Sequence, residues 1–289
     1  YLLLPPGYQG HIPDGYFAFE SSTYNVFLFF RTVLVPGDDG PDTGPAVENA
    51  ERTRIYPLWL PEKDVEPMEF PNASGKRVNM MYPTDFSYWT TLKEFVEYEP
   101  AEAFSPDLRG VLASIGIIKG QPFEPNDKQK EALSKAVEVG PKMIIAMRKM
   151  GRPDKRNLYY KDRQYERAWG AATAEFMQEN YLDIDQRAGY FQYAYSAAPA
   201  MIMRTIGEGS KYPFTIRDAD GDILNGSKNY KMHLPPGIPA KAFWAVTVYN
   251  VIDGTMPETP QLMPSINGYE KVNNNEDGSI DLYFGPSKP

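Results

Sequence analysis

The stretch Asn229–Asn250 reads NYKMHLPPGIPAKAFWAVTVYN. Its first part alternates, with Tyr230, Met232 and Leu234 on one side and Lys231 and His233 on the other, which is the period of a half-buried strand. A proline-rich connection follows. FWAVTVYN then puts Trp244, Val246 and Val248 on one side and Phe243, Ala245, Thr247 and Tyr249 on the other. Both sides are largely apolar, so this second strand is expected to be central, with Trp244 in a core or domain interface. Two strands joined by a short connection make the C-terminal part a β structure.

The rest of the chain extends this pattern. YPFTIRDADGDIL (212–224) and NNNEDGSIDLYFGP (273–286) each place an Asp-Gly turn beside strand-like residues. GYFQYAYSAAPAMIM (189–203) is aromatic and alternating at its start. Near the N-terminus, YFAFE and YNVFLFFRTVLV read as strands, the latter buried on both faces. PGDDGPDTGP (36–45) is a loop by composition, and RTRIYPLWLP (52–61) a short strand closed by proline.

Between these β segments the period changes. TDFSYWTTLKEFVEYEP (84–100) spaces Phe86, Trp89, Leu92, Phe95 and Val96 by threes and fours, with Thr84 or Asp85 as cap. SPDLRGVLASIGI (105–117) has Ser105 at N-cap and Pro106 at N1. Residues 126–151 form a third helix that Gly140-Pro141 is expected to kink or split. QYERAWGAATAEFMQEN (164–180) reads as a fourth. Four helices between β segments predict a helical subdomain.

Composition bounds the function. The chain has 289 residues, 42% hydrophobic and 13% aromatic, with 20 tyrosines, 27 prolines and 23 glycines. That is globular, turn-rich and inclined to β structure. A net charge of −8 without a basic cluster argues against a nucleic-acid partner. No apolar run is long enough to span a membrane. The absence of cysteine removes thiolate nucleophiles and disulfides. With two histidines, His11 and His233, a histidine-rich metal site is excluded within one chain, and no cofactor signature is present.

The stretches YLLLPPGYQGHIPDGYFAFESSTYNVF, LASIGIIKGQPFEP, NYKMHLPPGIPAKAFWAVTVYN and NEDGSIDLYFGP resemble the paired bacterial families of unknown function numbered 1254 and 1214. The resemblance implies an immunoglobulin-like β-sandwich over 1–83, a helical subdomain over 84–186 and a jelly-roll-like sandwich over 187–289. The fold class expected is mainly β with a helical insert, α+β and multidomain. It also implies that segments before and after this stretch are missing, and that the protein is exported, periplasmic or in the cell envelope. It carries no settled activity.

The residues themselves suggest where a ligand would sit. RAGYFQYAYS (187–196) sets Arg187 beside Tyr190, Tyr193 and Tyr195, and a guanidinium with tyrosine hydroxyls can hold a carboxylate or sugar. His233 and Trp244 complete the candidate set. The expected partner is a small polar or carbohydrate ligand where the helical and jelly-roll parts meet, in a chain compatible with a homo-oligomer. The alternatives are a hydrolase using carboxylates such as Asp85 or Asp185 with tyrosines, and a structural envelope component. DADGD (218–222) starts like a calcium loop but lacks the closing glutamate, because position 229 is Asn229.

Overall fold

The computed structural model describes residues 1–286 except 33, 38–39, 74, 77–78, 80, 151–156, 171–172, 195, 203–204, 206 and 262. In chain order the strands and helices are β1 Leu2–Leu4, β2 Ala18–Glu20, β3 Val35–Gly37, β4 Gly40–Asp42, α1 Gly44–Arg52, α2 Ser87–Tyr98, α3 Pro106–Ser114 and α4 Asp127–Met150. There follow β5 Glu166–Arg167, α5 Ile184–Phe191, α6 Pro199–Ile202, β6 Pro213–Phe214, β7 Tyr230–Leu234, β8 Ala245–Thr247, β9 Ser265–Asn267 and β10 Ile280–Phe284. The fold is mixed, 26% helix and 13% strand, so helix outweighs the strand content expected from composition. The described strands pair two by two: β1–β2, β3–β4, β5–β6, β7–β10 and β8–β9.

Two compact units divide the chain, residues 1–31 with 79–143, and 32–78 with 144–289. In the first, the expected helices are present. Asp85 accepts from the backbone N–H of Ser87 at 2.9 Å where α2 begins, as a carboxylate at a helix start should. Pro106 opens α3 after an extended Ser105. The end of α3 is a Schellman turn: Ile117 N–H donates to Leu112 O and Gly116 N–H to Ala113 O, with Gly116 at φ +90°. This turn brings Ile117 against Leu112, and with Val96 they form the buried core. The Trp89 indole N–H donates to Leu133 O at 2.9 Å and ties α2 to α4.

At the start of α4, Asn126 and Gln129 cap each other, each side-chain oxygen accepting from the other's backbone N–H at 2.9 Å. Gly140-Pro141 does not split the helix. α4 runs through Pro141 as one helix. Glu138 spans the site, pairing with Lys135 at 2.7 Å and Lys142 at 2.9 Å. Those lysines, Lys135 first, hold its carboxyl down at about 2. All three side chains are exposed, so the pairs add modestly to the helix.

Glu99 joins the N-terminal segment to this helical core. It is 0% exposed. Its carboxylate accepts from Tyr24 N–H at 2.5 Å, Asn25 N–H at 3.1 Å and the Asn25 side-chain amide at 2.7 Å. Among the described residues the strand expected over 24–35 is absent before β3 begins at Val35, and these bonds hold its first two residues. The amide groups that would open a ladder are spent on Glu99, and Phe27 and Phe29 stand 74% and 68% exposed rather than buried.

The second unit corrects five more expectations. The loop over 36–45 contains the β3–β4 pair and the start of α1, and no strand forms over 52–61. The helix expected over 164–180 is replaced by β5 and turns. There Trp169 and Phe176 turn into a core with Tyr190, and that burial overrides the local helix propensity of the alanine-rich run. Trp169 stacks on Phe176 at 4.6 Å and meets Tyr190 at 4.2 Å. Phe176 holds φ +64°, a left-handed conformation uncommon for a bulky residue. The alternating start of 189–203 is not a strand either: Tyr190 and Phe191 end α5, which Asp183 caps by accepting from Gln186 N–H at 3.1 Å. Finally, β8 pairs with β9 alone among the described residues, and its neighbours Phe243 and Tyr249 are exposed, so it is not a central strand.

Burial pushes the Glu99 carboxyl up, but the bonds from the Asn25 amide and the Tyr24 and Asn25 N–H groups, with Lys119 nearby, bring it below its ordinary value. A depressed carboxyl stabilises the fold above its unfolded pKa and loses that contribution as pH falls through the folded value. Glu99→Gln is therefore expected to lower the melting temperature at pH 7 and to flatten the loss of stability on acidification below pH 4. Thermal melts of both proteins across that range are the check. Equal melting temperatures at pH 7 would remove Glu99 from this role.

Candidate functional site

The expected alternation of β7 and the strand expected after the Asp277-Gly278 turn, β10, are present, and their register builds a site. They pair antiparallel with Leu234 opposite Ile280, His233 opposite Asp281, Met232 opposite Leu282, Lys231 opposite Tyr283 and Tyr230 opposite Phe284. Ile280 and Leu282 are buried. Successive side chains alternate faces, so the residues between them share the outer face: His233, Asp281, Lys231 and Tyr283. These four form a two-by-two array, and three of them line an open, polar cleft of about 680 Å³ with Asn275, Asp277 and Ser279.

The array is bonded. His233 Nδ1 lies 2.8 Å from Asp281 Oδ1, and Lys231 Nζ lies 3.5 Å from Asp281 Oδ2. Asp281 is one-fifth exposed, whereas His233 and Lys231 are about half exposed. The carboxylate is thus the anchored member and the two bases face outward. With Nδ1 engaged, Nε2 of His233 is the ring atom left for a ligand. The hydrogen bond from His233 holds the Asp281 carboxyl below the usual carboxylate range; burial opposes it, and Asn275 and Lys231 add to it.

The floor is a preceding turn. Ser279 is 1% exposed. Its hydroxyl donates to Asp277 Oδ1 at 2.6 Å and receives the Asn275 side-chain amide at 2.9 Å. The Ser279 bonds, side chain first, hold the Asp277 carboxyl low. Gly278, at φ +82°, lets the chain turn so that Gly278 N–H reaches Asn275 O. Ser279 Oγ is committed to this turn and has no bond to His233, so the three do not form a nucleophilic triad.

The other described residues expected at a site lie away from this cleft. Tyr190 is buried, its hydroxyl donates to Ser196 O at 2.8 Å, and burial pushes its phenol up to about 12. The Tyr193 hydroxyl donates to Val251 O at 3.0 Å, and its ring lies against Gly254. Arg187 is half-buried on α5, where its backbone N–H bonds Asp183 O. Tyr195 lies outside the described residues. The half-buried Trp244 packs its indole where a Cβ on Gly268 would sit 2.9 Å from Nε1. Of the expected set, His233 alone enters the cleft. Asp85 is engaged at the start of α2, where the Ser87 side chain and backbone hold its carboxyl low. Asp218 accepts from Asp220 and Asp222 N–H groups, as a turn residue does. Among the described residues no group of three or more His, Asp or Glu side chains could hold a metal ion, and no helix is long and apolar enough to cross a membrane.

The missed members, Lys231, Asp281 and Tyr283, carry a signal in the sequence. Each stands between apolar residues at period two. The pairing of two strands nearly fifty residues apart is what the linear pattern lacks.

Comparison with known proteins matches both ends of the chain. Residues 1–57 match the family model described as protein of unknown function (DUF1254), and residues 209–289 match protein of unknown function (DUF1214). No curated protein matches. The crystal structure of the VPA0106 protein from Vibrio parahaemolyticus is similar at 15% identity with a TM-score of 0.43, over 97% of this chain and 63% of that one.

The His233 bond is the first cause of the depressed Asp281 carboxyl. In His233→Ala that carboxyl is expected to titrate closer to the ordinary aspartate range of about 3.9. Its contribution to stability, present above that range and lost as pH falls through the folded value, should shrink accordingly. Carboxyl carbon NMR titrations of wild type and variant read both midpoints; identical midpoints would show that the imidazole does not hold Asp281.

Proposed function

We propose that this chain, which joins a 1254-type segment to a 1214-type segment, is an exported or cell-envelope protein that binds a small hydroxyl-rich ligand of the carbohydrate class on the outer face of β7–β10. The observation that carries the reading is the array on that face. Tyr283 is 55% exposed. Its ring offers an apolar platform of the kind that suits the C–H face of a sugar. Lys231 supplies donors, and His233 Nε2, Asp281, Asp277 and Asn275 supply acceptors along the adjoining cleft. Alternating acceptors and donors beside one exposed aromatic ring match a polyol better than an apolar ligand. The family resemblance supports export. It also supports reading the β7–β10 and β8–β9 pairs as parts of one jelly-roll-like sandwich.

A second reading is hydrolytic, favoured by the His233–Asp281 pair. A carboxylate on Nδ1 orients the imidazole, and Nε2 can then take a proton from water or a hydroxyl. In this reading His233 is the base and Asp281 its positioning residue.

Binding of an oligosaccharide array, followed by calorimetric titration with the best-retained sugar, tests the first reading. Tyr283→Ala is expected to weaken binding roughly tenfold, about what one aromatic contact is worth. Retention without released product favours binding, whereas turnover abolished by His233→Ala favours hydrolysis. No retained sugar, or equal affinity in Tyr283→Ala, overturns the proposal.

A further inference from the structure

The first compact unit holds a second cleft, of about 400 Å³ and different chemistry. It is framed by α3 and the segments that follow α2 and α3. Val96, Phe104, Leu112 and Ile117 make its floor, and Val96, Leu112 and Ile117 are the buried core of the unit. The cleft is therefore an opening onto the core. Its two charged lining residues are Arg109 and Lys119, and no acidic residue lines it. In a chain of net charge −8, a cleft lined by two cations and no carboxylate is a local reversal of sign.

Neither cation forms an ion pair among the described residues. Lys119 Nζ donates to two backbone carbonyls, Glu99 O at 2.9 Å and Glu97 O, which fix the ammonium, and its charge acts on the Glu97 and Glu99 carboxyls without an ion pair to either. Of those two carboxylates, Glu97 pairs with Lys93 and accepts from Gly120 N–H at 3.0 Å, and Glu99 accepts from Tyr24 and Asn25. Among the described residues Arg109 has no ion pair. Gly110, next to Arg109 in α3, also lines the cleft, and a Cβ there would meet nothing within 4 Å. The space beside the helix is open.

We infer that this cleft binds a medium-chain alkyl carboxylate, with the chain on Val96, Phe104, Leu112 and Ile117 and the carboxylate on Arg109 and Lys119. An apolar floor alone would accept any hydrocarbon. The paired cations select an anionic head, because a guanidinium can hold a carboxylate through two parallel N–H donors. The volume lies at the small end of ligand sites, which favours one short chain over a two-chain lipid. This inference is independent of the face on β7–β10, since no residue is shared.

Calorimetric titration of the full chain with decanoate, below its micelle concentration and with decanol as the uncharged comparison, is the test. Saturable one-to-one binding of decanoate, stronger than of decanol, is expected. Gly110→Leu fills the cleft from a helical position that tolerates leucine better than glycine, so it should abolish binding while the melting temperature holds or rises. Arg109→Gln keeps the floor and removes one cation; it should weaken decanoate roughly tenfold and erase the preference over decanol. If Gly110→Leu fails to fold, Arg109→Gln alone decides. Absence of saturable decanoate binding, or decanoate binding that Arg109→Gln leaves unchanged, overturns the inference.

Discussion

Glu99 is the constraint on which the first unit depends. A carboxylate removed from water is costly unless its lone pairs are met by donors. Here the donors come from Tyr24 and Asn25, more than seventy residues earlier in the chain. The charge therefore fixes a long-range connection between the N-terminal segment and the end of α2. It also decides the local conformation of that segment. Backbone N–H groups facing a carboxylate cannot also face a neighbouring strand, and the aromatic run after Asn25 stays out of any ladder. Lys119 closes the arrangement from the other side by holding the Glu99 and Glu97 carbonyls. One buried charge thus sets where the segment docks, what shape it takes and where the cation at the apolar cleft is anchored.

In the second unit the equivalent decision is made by register. A shift of one residue between β7 and β10 would send Ile280 and Leu282 outward and Asp281 inward. Burial of the two aliphatic side chains penalises that slip. The same packing preference that builds the core therefore also sets His233 opposite Asp281 and Lys231 opposite Tyr283. The buried Ser279 turn adds a second restraint just ahead of the strand, because Asp277 and Asn275 both bond its hydroxyl. The polar array inherits its geometry from apolar burial on the opposite face.

Legibility in the sequence followed the range of the interactions. α2, α3 and the alternation of β7 and β10 rest on contacts within a few residues, and their periods show in the linear string. The capping of α4 by Asn126 and Gln129 is equally local, an N-x-x-Q signal that was there to be read. Residues 164–180 have a helical composition, yet Trp169 and Phe176 gain more by burial against Tyr190 than the backbone gains by helix. That partner lies beyond the segment, so local propensity misleads. The run Tyr24–Phe30 fails for the same reason, with Glu99 as the distant partner. Of the candidate site, His233 was visible through its strand, while Asp281 and Tyr283 required the pairing of strands far apart in the chain.

Tyrosine shows most plainly why residue type alone does not locate a site. Arg187, Tyr190 and Tyr193 have the composition of a ligand-binding cluster, and the linear spacing sets them close together. A phenol can bind a ligand when its hydroxyl is not already satisfied and its ring is not already covered. Tyr190 and Tyr193 have given their hydroxyls to Ser196 and Val251 carbonyls, and their rings pack inside the second unit. Withdrawing either would break a part-buried hydrogen bond and uncover the ring it anchors. Tyr283 differs in having its ring at the surface, beside bases that are themselves held in place by Asp281. What separates an anchoring tyrosine from a recognising one is therefore the state of its neighbours, which exists only once the strands have paired.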